Sequence, residues 1–159
     1  MSLTIRDAVR ADAALIVRFI ADLAAYERLS DEVVASITDI ERELFGPSPK
    51  VFCQIAEIDG GPVGFALWFY TFSTFLGRHG IWLEDLFVVP AARGKGAGKA
   101  LLADLAARCV REKLGRLEWA VLDWNQPSIE FYEGRGAIFM DDWRRCRLSG
   151  PALLELGTQ

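Results

Sequence analysis

The stretch from Ile81 to Lys113 restricts the fold of this chain more than any other. It opens as an apolar, β-rich run from Ile81 to Val89, which Pro90 closes. It then passes through "RGKGAGKA" at Arg93 to Ala100 and continues in helical spacing. Leu101, Leu105 and Cys109 recur one turn apart, with Leu102, Ala106 and Val110 beside them. That pattern predicts an amphipathic helix from about Gly98 to Lys113, ended by Gly115. A strand, a glycine loop and a helix in that order put the unpaired N–H groups of a helix start next to a flexible backbone. The helix dipole adds roughly half a positive charge there, which suits a phosphate. Arg93, Lys95 and Lys99 can add local charge. A glycine-rich turn with solvated lysines is the other reading of the same residues.

Two nucleotide motifs fail on spacing. A P-loop requires glycine five positions before Gly98, where Arg93 stands. Ala100 also occupies the place of the magnesium-binding hydroxyl. The dinucleotide fingerprint would need glycine where Lys99 is, and it follows the first strand of its unit, whereas several strands precede this loop.

The remainder predicts a mixed α/β chain. Leu3 to Arg6 reads as a strand, and Asp12 as the cap of a helix with Leu15, Ile16, Phe19, Ile20 and Leu23 on its apolar side, ending near Tyr26 and Glu27. Val33, Ile37, Ile40 and Leu44 mark a second helix stopped by Gly46 and Pro47. Val51 to Ile58 and Val63 to Phe72 form a hairpin about "DGGP", and a loop from Ser73 to Gly80 carries the sole histidine, His79, read as exposed. Leu117 to Leu122 is a further strand. Asn125 and Pro127 start a short helix that Gly134 and Gly136 end. Ala137 to Met140 and Arg144 to Leu148 are expected to form a last hairpin. No linker or repeat interrupts the chain, so one domain over residues 1–159 is expected.

Composition narrows the partners. With 52% hydrophobic residues and 25% charged ones, the chain can bury a core. A net charge of −4 argues against a nucleic-acid partner and confines any anion site to a local patch. The uncharged stretch from Gly60 to Gly77 is apolar only from Val63 to Leu76, short of the roughly 20 residues of a membrane span. No apolar signal core precedes Arg6, Asp7, Arg10 and Asp12, and a cytoplasmic protein is expected. Cys53, Cys109 and Cys146 are odd in number and widely spaced, which disfavours zinc or disulfides and predicts buried or half-buried thiols. No metal is expected.

A third phosphate pattern remains: R-x-x-G-x-G on Arg93, Gly96 and Gly98, after Val-Pro. It resembles the coenzyme A loop of the GCN5-related N-acetyltransferases. "LEDLFVVPAARGKGAGKALL" and "LDWNQPSIEFYEGRGA", in that order, with "AAYERL" near Tyr26, resemble the spermidine/spermine (diamine) acetyltransferase branch. The resemblance covers most of the chain and is strongest from Ile81 to Ala137. It implies a GCN5-related N-acetyltransferase fold, an α/β (α+β) arrangement with a central, mostly antiparallel six- or seven-stranded sheet and helices on both faces. The sheet would splay between Ile81–Val89 and Leu117–Leu122. It implies acetyl-CoA as co-substrate, a small-molecule amine acceptor and a homodimer. It assigns the cofactor to the backbone of Leu86, Phe87 and Val88, to Arg93, Gly94, Lys95, Gly96, Ala97, Gly98 and Lys99, and to Asn125, Pro127, Ser128 and Tyr132.

Acetylating an amine requires removing a proton from an ammonium ion of pKa about 10.4, which costs about 4.6 kcal/mol at neutral pH. Glu84 and Asp85 fall in one strand, where neighbours point to opposite faces, so only one easily faces a given site. The resemblance makes Glu84 the base, acting through water, and leaves Asp85 structural; a salt-bridged strand carboxylate is the alternative for Glu84. It makes Tyr132 the acid that protonates the thiolate; a core tyrosine is the alternative. Asn125 contacts the cofactor, caps its helix, or does both. Tyr26, Glu27, Glu84, Glu118, Trp119, Ala120, Asp141 and Trp143 match acceptor-side positions, where aromatics and carboxylates suit an ammonium ion. Trp119 as core and Asp141–Asp142 as a solvated turn are equally open. "FSTFLGR" lacks an acidic residue around Ser73 that polyamine-acetylating relatives carry, and the segment after Gly136 is shorter. The expected acceptor is therefore a small primary amine, such as a diamine, a polyamine or a thialysine-like amino acid. Protein or peptide N-acetylation and a non-catalytic acyl-CoA sensor are the alternatives. "PALLELG" reads as a dimer or packing element.

Overall fold

Aromatic and β-branched runs build one sheet whose five strands follow chain order: β1 (Leu3–Asp7), β2 (Phe52–Ile58), β3 (Gly61–Ser73), β4 (Arg78–Val88) and β5 (Leu117–Trp119). The computed structural model describes every residue, Met1 to Gln159, as two units, 1–120 and 121–159. The sheet lies wholly in the first unit. β1 to β4 pair antiparallel, and β5 joins β4 in parallel. The sheet is mixed and mostly antiparallel as expected, but five strands replace the expected six or seven. β2 and β3 are joined by Asp59 and Gly60, both with positive φ (51° and 79°), the geometry a tight two-residue hairpin demands.

Side-chain alternation sorts the strands into two faces. Cys53, Ile55, Phe65, Leu67 and Phe87 form one core with α1 (Ala13–Tyr26) and α2 (Ile37–Phe45). Phe19 of α1 stacks on Phe65 at 5.5 Å and meets Phe87 at 6.2 Å. Burying such a ring stabilises by ~1.5–3 kcal/mol. The alternate residues, Trp68 among them, face α3 (Ala97–Arg111), whose Arg108 guanidinium lies over the Trp68 ring at 5.1 Å. Helices thus cover both faces.

Several local expectations change. Asp12 does not cap α1 through its side chain. It accepts the Val9 N–H and both ends of the Arg6 guanidinium, and that guanidinium holds its carboxyl below the ordinary range. Val33 lies before α2, which Ser36 caps by accepting the Asp39 N–H. β3 and β4 extend towards each other, so His79 is a strand residue paired with Phe72, though exposed as expected. In α3 the stripe Leu101, Leu105 and Cys109 is buried with Leu102, but Ala106 and Val110 are exposed. β5 ends at Trp119 and not at Leu122. Cys53 and Cys109 are buried free thiols, whereas Cys146 is exposed.

The second unit holds α4 (Gln126–Glu133) and α5 (Gly150–Gly157). The hairpin expected at 137–148 does not form; these residues pair with no strand. They are mostly exposed, including Ile138, Phe139, Met140 and Trp143, so alternation there lacks a core to bury its apolar side.

Candidate functional site

The glycine loop leaves β4 through Pro90 and reaches α3 by way of Gly94 (φ 76°) and Gly96 (φ 89°). Left-handed backbone at both positions is what glycine permits cheaply. A Cβ at Gly94 would meet no atom within 4 Å, and at Gly96 only Leu3 Cδ2 at 3.8 Å, so both are open on their outer side. Gly96 is the residue before α3, and its carbonyl accepts the Ala100 N–H. Ala97, Gly98 and Lys99 form the first helical turn, where N–H groups lack intrahelical partners. Lys95 and Lys99 are exposed. Arg93 is anchored: Nε donates to the Val88 carbonyl at 3.0 Å, and the guanidinium covers the rings of Tyr26 at 4.9 Å and Phe87 at 5.7 Å. It ties the loop to the end of α1.

The parallel ladder between β4 and β5 covers only Ile81 to Leu83 against Leu117 to Trp119. From Glu84 to Val88 the outer edge of β4 has no strand partner, because β5 ends at Trp119 where a splay of longer strands was expected. Leu86, Phe87 and Val88 lie along it; the Phe87 side chain is buried in the α1 core and the other two are half-buried.

At the start of that free edge β4 contains a bulge. Leu67 of β3 pairs with Asp85, and the next residue, Trp68, pairs with Leu83, so Glu84 is an extra residue. A bulge breaks the simple alternation that would send Glu84 and Asp85 to opposite faces. Asp85 sits on the α1 face beside Phe87. Trp82, on that same face, donates its indole N–H to the Glu84 carboxylate at 2.8 Å. Both carboxylates therefore serve one face, and the expectation that only one could is corrected.

Their surroundings differ. Glu84 is exposed. Asp85 is half-buried, and burial, followed by the charges of Glu84 and Glu27, raises its carboxyl to about 7. Glu27, at the end of α1, is half-buried, and burial raises its carboxyl as well. No hydrogen bond or ion pair reaches the Asp85 or Glu27 side chain. The first unit thus brings Tyr26, Glu27, Glu84 and Arg93 together around the end of β4, with Asp85 among them. The resemblance leaves Asp85 structural, and the bulge that turns it leaves no mark in "WLEDLF".

The other expected residues fall elsewhere. Glu118 pairs with Arg116 at 3.0 Å, Trp119 ends β5 and is half-buried, and Ala120 follows it, exposed. In the second unit Asn125 and Tyr132 are buried at 6% and 8% exposure, a strong constraint for polar side chains on so short an element. Asn125 precedes α4 and offers its carbonyl to Ile129, but its side chain makes no capping bond. Pro127 and Ser128 occupy the first turn of α4, and the Phe131 ring meets Tyr132 edge-on at 5.4 Å. Asp141 and Trp143 lie in exposed irregular chain. A cleft lined by Asp7, Cys53, Trp68, Tyr70 and Arg108 sits at the opposite end of β3 from the glycine loop, and its guanidinium is already met by Glu112 at 3.1 Å.

The chain is similar to several known proteins. The family described as acetyltransferase (GNAT) matches residues 17–137. A thialysine N-epsilon-acetyltransferase from Bos taurus is 36% identical over 163 residues, covering 96% of this chain and 95% of that protein. An L-ornithine N5-acetyltransferase from Arabidopsis thaliana is 41% identical over 117 residues, 74% of this chain and 48% of that protein. Among solved structures, an integron cassette protein from the mobile metagenome of V. cholerae superposes with a TM-score of 0.83 at 26% identity, covering 100% of this chain and 99% of that one.

Proposed function

The chain belongs to the acetyltransferase (GNAT) family, and from that premise we propose that it moves an acetyl group from acetyl-CoA to a primary amine of a small molecule. Enzymes of this family use acetyl-CoA, which supplies an activated acyl group as a thioester. The residues present fit it. The open glycines Gly94 and Gly96 and the first turn of α3 suit a pyrophosphate, with Lys95 and Lys99 as local counter-charge. The unpaired edge of β4 at Leu86, Phe87 and Val88 suits an amide-bearing arm, which would bind there as an added strand. The resemblance adds Asn125, Pro127, Ser128 and Tyr132 to the cofactor residues.

The observation that carries the amine assignment is the group of carboxylates at the end of β4. Glu84, Asp85 and Glu27 stand with Tyr26 beside the cofactor loop, and two of them have no cation of their own. Such a place attracts an ammonium ion. In this reading Glu84 draws the acceptor in and takes its proton through water, and Tyr132 is the acid for the departing thiolate. Glu118, Trp119, Ala120, Asp141 and Trp143 are assigned to the acceptor side from the resemblance alone. Thialysine and ornithine, named in the relatives, are amino acids with a primary amine on the side chain, and both are compatible with the chemistry at Glu27 and Glu84.

The enzyme works on this reading as one domain over residues 1–159, as a homodimer in the cytoplasm. Exposed Trp143, Leu153, Leu154 and Leu156 in the second unit support self-association, and the free thiols support a reducing compartment. The net charge of −4 supports a partner other than nucleic acid, and no helix is long and apolar enough to cross a membrane.

The test is release of CoA from acetyl-CoA against thialysine, lysine, ornithine, putrescine, spermidine, spermine and a short peptide. Fast turnover with one small amine is expected; turnover with the peptide alone would overturn the small-molecule assignment. Tyr132→Phe should lower kcat by about 100-fold with acetyl-CoA affinity retained. Full activity of that variant across pH would remove Tyr132 as the acid.

A further inference from the structure

We infer that Asp85, coupled to Glu27, is the resting place of the proton taken from the acceptor's ammonium group. This rests on the small-amine reading above and adds a second carboxylate to the one that reading uses. Glu84 is exposed and already accepts the Trp82 indole N–H, which suits it to meet the acceptor and hand its proton on. Asp85 is one residue further on, turned by the bulge to the same face and half-buried against the α1 core.

The groups facing Asp85 come from every neighbouring element. On β4 it has Glu84, and from the end of α1 it has Glu27. Cys53 of β2 is close enough for the Asp85 charge to raise the thiol. Leu67, its partner on β3, carries no charge. Arg93 lies on this face over Tyr26 and Phe87, but its Nε is committed to the Val88 carbonyl. Two carboxylates and no dedicated cation share the space. One proton between them relieves both the burial and the repulsion.

The acceptor changes this balance in two steps. First, its ammonium charge pairs with the carboxylates, the shared proton leaves to solvent water, and Asp85 ionises. The ammonium N–H bond then breaks through the Glu84 relay, the proton forms a carboxylic O–H on Asp85, and the nitrogen lone pair is free to attack. No other reactant is needed for this transfer. Held at about 7, the Asp85 carboxyl binds that proton about a thousandfold more tightly than an ordinary aspartate would.

The test has two readouts. In the ligand-free full chain, carboxyl carbon NMR should show Asp85 titrating near 7, and Glu27→Gln should move that midpoint down. In the rate measurement, with thialysine as acceptor, the wild-type kcat/KM should fall below an inflection set by Asp85. Asp85→Asn should lower kcat by about 100-fold or more and abolish that inflection, while leaving KM for acetyl-CoA near its wild-type value. Glu27→Gln, which keeps Asp85, should move the inflection to lower pH, with any loss of acceptor binding read separately as a rise in KM for the amine. An acid limb unchanged in Asp85→Asn, or an Asp85 carboxyl titrating in the ordinary aspartate range, would overturn the inference alone. A wild type silent towards every small amine would overturn the reading beneath it, a different and separable result.

Discussion

Replacing Asp85 with asparagine should stabilise the protein, and the gain should grow with pH. In the folded chain the carboxyl is half-buried, has no donor or cation, and is raised from 3.8 to about 7 by burial and by Glu84 and Glu27. Between those values the folded protein holds a proton that the unfolded chain has released. The stability contributed by this group is therefore fully present below pH 3.8 and is lost as pH rises through 7. At 1.36 kcal/mol per pH unit the whole loss is about 4 kcal/mol. Partial exposure screens the charge, so ~2–3 kcal/mol is the working figure. Asparagine fills the same volume without a charge and escapes the loss. Urea unfolding of both proteins at pH 5 and pH 8 measures it. The advantage of Asp85→Asn should be larger at pH 8 by about 1.5 kcal/mol, with equal denaturant slopes. Comparing the variant with wild type cancels the titration of distant groups, and relief of Glu27 and Glu84 acts in the same direction. An advantage equal at the two pH values would mean that Asp85 titrates alike in the folded and unfolded chain, and the reasoning would fail.

Two further outcomes follow from the loop and the sheet. Arg93→Ala removes the bond to the Val88 carbonyl and the cover over Tyr26 and Phe87, so the loop should lose its anchor and acetyl-CoA should bind about 10-fold more weakly by calorimetry. Unchanged binding would separate the loop from the cofactor. Gly64→Ala places a Cβ 2.5 Å from the Phe87 carbonyl oxygen, backbone that cannot swing aside, and should lower stability by ~2–3 kcal/mol in thermal unfolding; an unshifted midpoint would mean that β3 and β4 can part there.

The sequence carried the elements that bury a regular stripe. α1, α2, α3 and the first four strands were readable because Phe19, Leu101, Phe65 and their neighbours repeat at the period of their element against a common core. It failed where periodicity and burial part company. Residues 137–148 alternate plausibly, yet Ile138, Phe139 and Met140 are exposed and form no ladder. Val110 continues the α3 pattern but is 81% exposed, while Cys109 beside it is buried. Asp12 has the chemistry of a cap, but Arg6 and the Val9 N–H claim both its oxygens, and a single residue cannot announce such a competition. Gly94, Gly96, Arg93, Glu84 and Glu27, singled out by motif and resemblance, lie around one stretch of β4 and its loop. The role open to Asp85 was not legible, since the bulge is decided by pairing with β3 and not by any residue of β4 alone.

The bulge also explains why so much sits at one end of β4. Pairing with β5 stops at Leu83, and the extra residue is the next one, Glu84. β5 has no residue beyond Trp119, so the β4 edge from Glu84 to Val88 is open, and the bulge at its start turns two acidic neighbours onto the face that α1 closes with Tyr26 and Glu27. The open edge suits an extended cofactor arm and the carboxylates suit a cation. Both lie on one strand, so the spacing between them is set by the backbone, within a few residues of strand. Loop side chains can then vary to admit one amine or another without disturbing that spacing. The acceptor preference should accordingly be sought in residues around Ser73 and after Gly136, which lie outside the β4 core of the site.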